Sequence, residues 1–164
     1  MTQTRKITPL NSGLGLTTQL RAEDFAELAR RGYRSVLNNR PDGEPGESYL
    51  PAREASALAA RHGLAYVHMP VRGVDLSEEE VIEQFRQVVD SMPKPIVAHC
   101  KVGGRSAVLW AYASAGELPV EEIIRRAAEA GHDLSPLQNE LAERAAIRAH
   151  GEDAYETEDL RAAI

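Results

Sequence analysis

The chain has 164 residues and a mass of 18.0 kDa, which is the size of a single domain. Its hydrophobic fraction of 43% and its charged fraction of 27% exclude a disordered chain and a disulfide-rich miniprotein. The net charge of −6 argues against nucleic acids and membranes as partners, but it allows a local positive site for a small anionic substrate.

Short apolar segments alternate with amphipathic segments along most of the chain. The segments that we predict as β-strands are 7–10, 14–19, 35–39, 65–71 and 96–98. The segments that we predict as helices are 22–31, 51–62, 78–91, 106–115, 120–130 and 136–149. The alternation favours an α/β fold, with a mostly parallel central sheet flanked by helices. We expect one domain over residues 1–150, followed by an acidic tail or frayed helix over 151–164.

The third predicted helix has the clearest start signal. Ser77 can cap it, and Glu80 can complete a capping box with Ser77.

The cysteine count and the N-terminal sequence favour a cytoplasmic protein. Cys100 is the single cysteine, so no disulfide can form within the chain, as is usual in a reducing compartment. The N-terminal segment has no apolar core of signal-peptide length, and no segment is apolar for long enough to span a membrane. The five histidines lack metal-ligand spacing, and no Walker or Rossmann glycine pattern occurs, so we predict neither metal nor cofactor.

The segment His-Cys-Lys-Val-Gly-Gly-Arg-Ser (99–106) lies where a buried strand is expected to pass into a helix. In open parallel sheets, ligands bind beyond the carboxyl ends of the strands. Gly103 and Gly104 permit a tight turn in which several N–H groups point into one concavity, with the positive end of the next helix behind them. The residues expected to bind an anion are Lys101, Val102, Gly103, Gly104, Arg105 and Ser106.

Each polar side chain of this segment has an expected role in nucleophilic catalysis. Cys100 is the candidate nucleophile, since the loop amides and the helix end favour its thiolate form. Arg105 offers a planar set of donors to a tetrahedral oxyanion. His99 is expected to hold the loop or to tune the thiol, and Ser106 to hydrogen-bond the sulfur and assist its departure.

At these residues the sequence resembles the phosphate-binding loop of cysteine-dependent tyrosine and dual-specificity phosphatases. Over about residues 6–140 it is similar to the bacterial beta-lactamase-hydrolase-like protein family, phosphatase-like domain. The stretches that carry this resemblance are TTQLRAEDFAELARRGYRSVLNNRPDGE (17–44), GLAYVHMPV (63–71), PIVAHCKVGGRSAVLWA (95–111) and, more weakly, VEEIIRRAAEAGHDL (120–134). The resemblance implies a dual-specificity-phosphatase-like fold and a catalytic domain over residues 1–150. Members of the family occur alone or joined to domains that process sulfide or persulfide.

Two departures from the phosphatase pattern bear on the chemistry. Four residues separate Cys100 from Arg105, where the phosphatases have five, and rhodanese-type sulfurtransferases share the shorter spacing. Pro70 and Val71 stand where the resemblance places the aspartate that protonates the leaving oxygen. Asp75 is the nearest substitute for this acid.

A second group of polar residues follows another strand. Arg40, Asp42 and Glu44 are expected to form a pocket wall or an ion-paired loop that supports Arg105. Asp42 is also a second candidate for the acid, or else a turn-former in Arg-Pro-Asp-Gly.

Three functions remain open from the sequence. The first is a cysteine-dependent phosphatase-like hydrolase, which the fold and the family favour. The second is a rhodanese-like sulfurtransferase that carries a persulfide on Cys100, which the short loop and the missing acid favour. The third is a non-catalytic anion-binding regulatory module.

Overall fold

The computed structural model describes residues 4–46 and 49–162. The strands are β1 (Thr8–Pro9), β2 (Leu14–Thr17), β3 (Ser35–Asn38), β4 (Ala65–His68) and β5 (Ile96–His99). The helices are α1 (Asp24–Arg30), α2 (Ala52–Arg61), α3 (Glu79–Ser91), α4 (Gly104–Ser114), α5 (Val120–Glu129) and α6 (Gln138–Ala162). Two short 3-10 turns, Gly73–Asp75 and Ser135–Leu137, precede α3 and α6.

The strands form one sheet in the order β1-β2-β5-β3-β4. Strands β2, β5, β3 and β4 pair in parallel, and only β1 at the edge is antiparallel. The predicted α/β fold with a mostly parallel sheet is therefore confirmed.

Side chains alternate between two hydrophobic clusters along the buried strands, because successive strand residues point to opposite faces of a sheet. Ile96 and Ala98 join a cluster packed under α3 to α6, whereas Val97 joins a second cluster with Phe25 of α1 and Ala59 of α2. Helices thus cover both faces of the sheet, and the central strand β5 is buried along its whole length.

The parallel register aligns the carboxyl ends of three strands. His99 at the end of β5 pairs with Thr17 of β2 on one side and with Asn38 of β3 on the other. The segments that follow β3 and β5 therefore leave the sheet at the same edge, side by side. This register brings residues near 40 next to residues near 100.

The starts of α3 and α6 differ from the sequence predictions because a 3-10 turn precedes each helix. Helix α3 begins at Glu79 with Glu78 at the N-cap and no side-chain cap, so the expected capping box of Ser77 and Glu80 was wrong. The turn Gly73–Asp75 explains the shift, because the Glu78 N–H donates to the Asp75 carbonyl instead of to a serine side chain. Helix α6 starts at Gln138 rather than at 136, since Ser135–Leu137 form a 3-10 turn.

Helix α6 continues to Ala162, well past the predicted end at 149. Of the two structures predicted for residues 151–164, a tail or a helix, the helix is observed as far as Ala162. The domain boundary at 150 stays a prediction. Among the described residues, no helix is both long and apolar enough to cross a membrane.

Candidate active site

The loop between β5 and α4 is built around one left-handed glycine. Gly103 has φ of +93° and is the N-cap of α4. A Cβ at this position would lie 2.9 Å from Nε2 of His132 and 3.3 Å from the Thr17 carbonyl oxygen. Both the backbone angle and the lack of space therefore require glycine here.

The Cys100 sulfur lies buried at the base of this loop. Its side chain is among the core residues, and its Sγ accepts a hydrogen bond from the Gly103 N–H at 3.2 Å. The left-handed turn directs this amide back towards the sulfur at the start of α4. An amide hydrogen bond and a helix N-terminus both stabilise negative charge at such a position.

Arg105 is held in place by Glu44 in a two-pronged ion pair. Its Nη1 donates to Glu44 Oε2 and its Nη2 to Glu44 Oε1, both at 2.7 Å, and Nη1 also donates to the Val71 carbonyl at 3.1 Å. The hydrogen bonds from Arg105 lower the pKa of the Glu44 carboxyl, although its desolvation opposes this change. Glu44 is therefore ionised at neutral pH.

The pairing with Glu44 leaves one edge of the Arg105 guanidinium free. A guanidinium has five N–H donors, and three of them are used by Glu44 and Val71. The remaining two, Nε–H and one Nη2–H, share an edge that neither Glu44 nor Val71 engages, and the Cys100 sulfur interacts with the same guanidinium. The hydrogen bond with Glu44 raises the pKa of Arg105, and the nearby Cys100 sulfur raises it further. Glu44 thus holds one edge of the guanidinium while Cys100 lies within its electrostatic reach.

Arg40 lies behind Glu44 and is almost completely buried, at 1% exposure. Its Nη2 donates to the carbonyls of Glu44 at 3.1 Å and Pro45 at 3.2 Å, and its Nη1 donates to Gln19 Oε1 at 3.0 Å. Its Nε lies 3.4 Å from Glu44 Oε1 without forming a hydrogen bond. Of the two roles predicted for Arg40 and Glu44, a pocket wall or an ion-paired support for Arg105, these contacts favour the support. The reason is that Arg40 hydrogen-bonds to the backbone at Glu44.

The two aspartates considered as acids have other partners. Asp42 Oδ1 accepts the Ala52 N–H at 2.9 Å, at the start of α2. Asp75 Oδ2 accepts Arg72 Nε–H at 2.9 Å within the 3-10 turn. Within residues 4–46 and 49–162, neither aspartate forms a hydrogen bond to the loop that follows Cys100. In this structure both carboxylates therefore accept hydrogen bonds from groups outside that loop.

His99 contacts the loop from inside the sheet. Its Nδ1 lies 3.0 Å from the Cys100 carbonyl oxygen, and burial lowers the pKa of its ring to about 4. The ring is therefore neutral at pH 7, and a neutral ring donates one hydrogen bond, here from Nδ1–H to the carbonyl. Of the two roles expected for His99, holding the loop and tuning the thiol, this geometry favours holding the loop.

Ser106 does not bond the sulfur in this structure. Its Oγ donates to Asn39 Oδ1 at 2.9 Å, so the expected hydrogen bond to Cys100 is not formed. Asn39 also donates from Nδ2 to the Met69 carbonyl at 3.0 Å. Ser106 therefore joins α4 to the ends of β3 and β4, since the buried Asn39 amide competes successfully for its hydroxyl.

Lys101 and Val102 form the exposed outer part of the loop. The Lys101 side chain lies over Gly46, with Nζ 3.1 Å from the place a Cβ would take there, and Arg40 Nη2 lies 3.3 Å from the same place. No hydrogen bond or ion pair engages the Lys101 ammonium in the part of the chain that the structure describes. The loop thus carries one uncompensated cation on its outer side.

Sequence reasoning missed three neighbours of the loop: Gln19, Asn39 and His132. Gln19 Oε1 accepts a hydrogen bond from Arg40 Nη1, and the Gln19 backbone N–H donates to the Lys101 carbonyl at 3.0 Å. His132 packs against Gly103, as described above. All three residues lie in the stretches that carry the family resemblance, and that resemblance was the only signal for them.

Comparison with known proteins gives the family. The family described as "Beta-lactamase hydrolase-like protein, phosphatase-like domain" matches residues 5–117. The chain belongs to this family.

Curated members of the beta-lactamase hydrolase-like proteins include one from Xylella fastidiosa strain Temecula1, 36% identical over 132 residues, and one from Agrobacterium fabrum strain C58, 35% identical over 106 residues. The matches cover 79% and 64% of this chain but 30% and 24% of those proteins. The chain therefore spans less than a third of the length of the relatives that it matches.

Solved structures with the same fold are phosphatase-like. A candidate phosphatase from Neisseria meningitidis Z2491 is 32% identical, with a TM-score of 0.75 over 84% of this chain and 97% of that chain. The core catalytic domain of the PP-IP phosphatase of S. cerevisiae has a TM-score of 0.66 at 15% identity, over 95% of each chain, and shares the fold. The predicted family and fold are confirmed, and the chain is a phosphatase-like domain.

Proposed function

We propose that this phosphatase-like domain is a cysteine-dependent hydrolase of small phosphorylated substrates, with Cys100 as its nucleophile. The observation that carries the proposal is the free edge of Arg105, beside a sulfur that already accepts the Gly103 N–H. Two donors on one edge match two oxygens of a phosphoryl group. The membership of the family and the likeness to a Neisseria candidate phosphatase support the same reaction class.

The reaction has two steps that share one cradle. In the first, the thiolate of Cys100 attacks phosphorus, and the bond from phosphorus to the leaving oxygen breaks with its electron pair on that oxygen. In the second, water attacks phosphorus, the sulfur–phosphorus bond breaks, and phosphate leaves with the protons of the water while the thiolate returns. Positioning and electrostatic stabilisation of the equatorial oxygens supply most of the catalysis in such transfers.

Glu44 and Arg40 would act on the substrate only through Arg105. Glu44 fixes the guanidinium plane, and Arg40 fixes the backbone of Glu44. A fixed guanidinium loses less side-chain entropy when it binds an oxyanion, since its rotamer is already set. Both residues are therefore positioning residues in this proposal.

A sulfurtransferase is the second candidate, because four residues separate Cys100 from Arg105 and neither Asp42 nor Asp75 forms a hydrogen bond to the loop. In that reaction the thiolate would attack the outer sulfur of a donor such as thiosulfate. The sulfur–sulfur bond would break, sulfite would leave, and Cys100 would carry a persulfide. This chemistry needs room for one sulfur atom and no proton donor.

Intact-mass measurement of the protein distinguishes the candidates. We expect a gain of one phosphoryl group after rapid quenching with an aryl phosphate, and none in Cys100→Ser. Catalytic turnover of the aryl phosphate should vanish in the same variant. A gain of one sulfur from thiosulfate without any phosphoryl gain would overturn the hydrolase in favour of the sulfurtransferase. No gain from either reagent would leave the anion-binding module.

A further inference from the structure

Three carboxylates on the segments considered for the site have hydrogen-bond partners of their own. Glu44 is bound at both oxygens by Arg105. Asp42 accepts the Ala52 N–H at the start of α2, and Asp75 is paired with Arg72. A general acid must carry a proton and reach the leaving oxygen. Glu44 is held by two hydrogen bonds from Arg105, and Asp42 and Asp75 both accept hydrogen bonds from groups outside the loop that follows Cys100.

The histidines near the loop are also poor proton donors. His99 already uses Nδ1 on the Cys100 carbonyl, and burial keeps its ring neutral at pH 7. His132 packs against Gly103 at the side where the Thr17 carbonyl also lies, and burial lowers the pKa of its ring. A neutral imidazole is not an acid at neutral pH. Within the described residues, the site therefore offers cations near the sulfur but no positioned acid.

From this arrangement we infer, on the basis of the proposed hydrolase function, that the domain acts on phosphoanhydrides, whose leaving group departs as a phosphate anion without a proton from the protein. The departing group of a diphosphate is a phosphate ester, whose second pKa is about 6. An alkoxide is the conjugate base of an acid about as weak as water, with a pKa of about 15.7, and it cannot leave unprotonated at a useful rate. The site thus suits a leaving group that needs charge stabilisation rather than protonation.

Lys101 supplies that charge stabilisation at the loop. Its ammonium is exposed, has no hydrogen-bond or ion-pair partner in the described part of the chain, and lies beside the Arg40 guanidinium over Gly46. Arg40 and Arg105 share Glu44 as counter-ion, so a further cation next to them leaves the region positive. A second phosphoryl group beyond the one on Cys100 would meet this ammonium.

The step balances without an added acid. The Cys100 thiolate attacks the terminal phosphorus, the bond between that phosphorus and the bridging oxygen breaks, and its electron pair stays on the bridging oxygen. The inner phosphate leaves with this added negative charge beside Lys101. Water then hydrolyses the phosphoryl group on sulfur as in the proposed function, and its protons leave with the phosphate.

The dependence of kcat/KM on the leaving group tests the inference. Full-length protein is assayed with aryl phosphates whose phenols differ in acidity, and with ADP as a phosphoanhydride. We expect kcat/KM to fall by about tenfold for each unit of phenol pKa, the steep dependence of a departure without a proton donor. ADP should turn over at least as fast as the aryl phosphate whose leaving group has the same acidity.

Single variants separate the roles. Lys101→Met should lower kcat/KM about tenfold more for ADP than for the aryl phosphates, whereas Lys6→Met, which removes another exposed ammonium, should leave the ratio of the two values unchanged. Asp75→Asn and Asp42→Asn should change kcat/KM for aryl phosphates less than about tenfold, below the usual contribution of a positioned acid.

Two outcomes would overturn the inference in different ways. Turnover that depends on Cys100 but hardly on phenol acidity, and that collapses in Asp75→Asn, would show a protein acid and would leave the hydrolase function intact. The absence of any turnover that Cys100→Ser removes would overturn the hydrolase function and this inference together.

Discussion

Glu44 and Arg105, 61 positions apart in the chain, form a two-pronged ion pair whose Nη–Oε distances are both 2.7 Å. The pair occupies the end of the guanidinium, so Glu44 does not engage its Nε edge. In the proposed function, Glu44 supports Arg105 and does not compete with the substrate. Its place behind the guanidinium leads to the first prediction.

Glu44→Gln is expected to lower kcat/KM for an aryl phosphate about tenfold. The amide keeps the size of the side chain but loses the charge-assisted character of both hydrogen bonds, each about twice as strong as its neutral counterpart. Inorganic phosphate should also protect Cys100 from alkylation less effectively in Glu44→Gln than in the wild type. Glu117→Gln is the matched control, since Glu117 pairs with Arg148 at the surface. Stronger protection by phosphate in Glu44→Gln would instead mean that the carboxylate competes with the anion.

Arg40 should act on the site through Glu44. Arg40→Met is expected to lower kcat/KM in the wild-type background. In the Glu44→Gln background it should cause little further loss, because the effects of mutations within one contact network do not simply add. The double-mutant cycle in kcat/KM measures this coupling. Additive losses would contradict a route through Glu44.

Arg40→Met also removes a buried cation, so its effect on folding needs its own measurement. We expect a loss of about 3 kcal/mol in the free energy of unfolding, since breaking a buried ion pair leaves its partners unmatched. If Arg40→Met does not fold, Gln19→Met can replace it in the double-mutant cycle with Glu44→Gln, because it removes one hydrogen-bond acceptor of Arg40.

His99 makes the stability of the fold depend on pH. Burial lowers the pKa of its ring from 6.5 to about 4, so on acidification the unfolded chain binds the proton before the folded one. The stability from this residue is complete above pH 6.5 and is lost between pH 6.5 and 4, by up to about 3 kcal/mol. Urea unfolding of the wild type and of His99→Gln across this range measures the difference. If the wild type and His99→Gln differed in unfolding free energy by the same amount at pH 7 and at pH 4.5, the buried neutral ring would be contradicted.

Gly103→Ala tests the requirement for glycine in the loop. Its φ of +93° and the 2.9 Å approach of His132 should together cost more than the backbone angle alone. Gly63→Ala is the matched control, since Gly63 has φ of +72° and nothing within 4 Å of its Cβ position. We expect Gly103→Ala to lose about 1–3 kcal/mol more than the control in urea unfolding, the usual cost of overpacking. Equal losses of unfolding free energy in Gly103→Ala and Gly63→Ala would mean that the His132 side chain can move away from the added methyl group without destabilising the fold.

The loop that follows β5 was predictable because its determinants are local. Eight consecutive residues from His99 to Ser106 contain the sulfur, the turn glycines and the guanidinium, and the strand and helix on either side have clear apolar patterns. The turn at Gly103 agrees with that prediction, whereas α4 begins at Gly104, two residues before the predicted start at 106.

The partners of those residues were not predictable to the same extent. Glu44 was one of several polar residues after β3, and the sequence left it open as pocket wall or support. Ser106 was assigned to the sulfur, yet it bonds Asn39, 67 positions away. Asp75 was the nearest substitute for the acid expected at Pro70 and Val71, but it lies in a turn where it accepts a hydrogen bond from Arg72.

The sequence by itself determined the order of strands and helices, the mostly parallel sheet and the residues of the loop, since periodicity, glycine positions and apolar runs act over short stretches. The tertiary structure alone decided which carboxylate meets Arg105. The parallel pairing of β3 with β5 sets Asn38 beside His99, and this register places the chain after each strand at one edge of the sheet. Arg40, buried at that edge, then fixes the backbone of Glu44 so that its carboxylate faces the guanidinium.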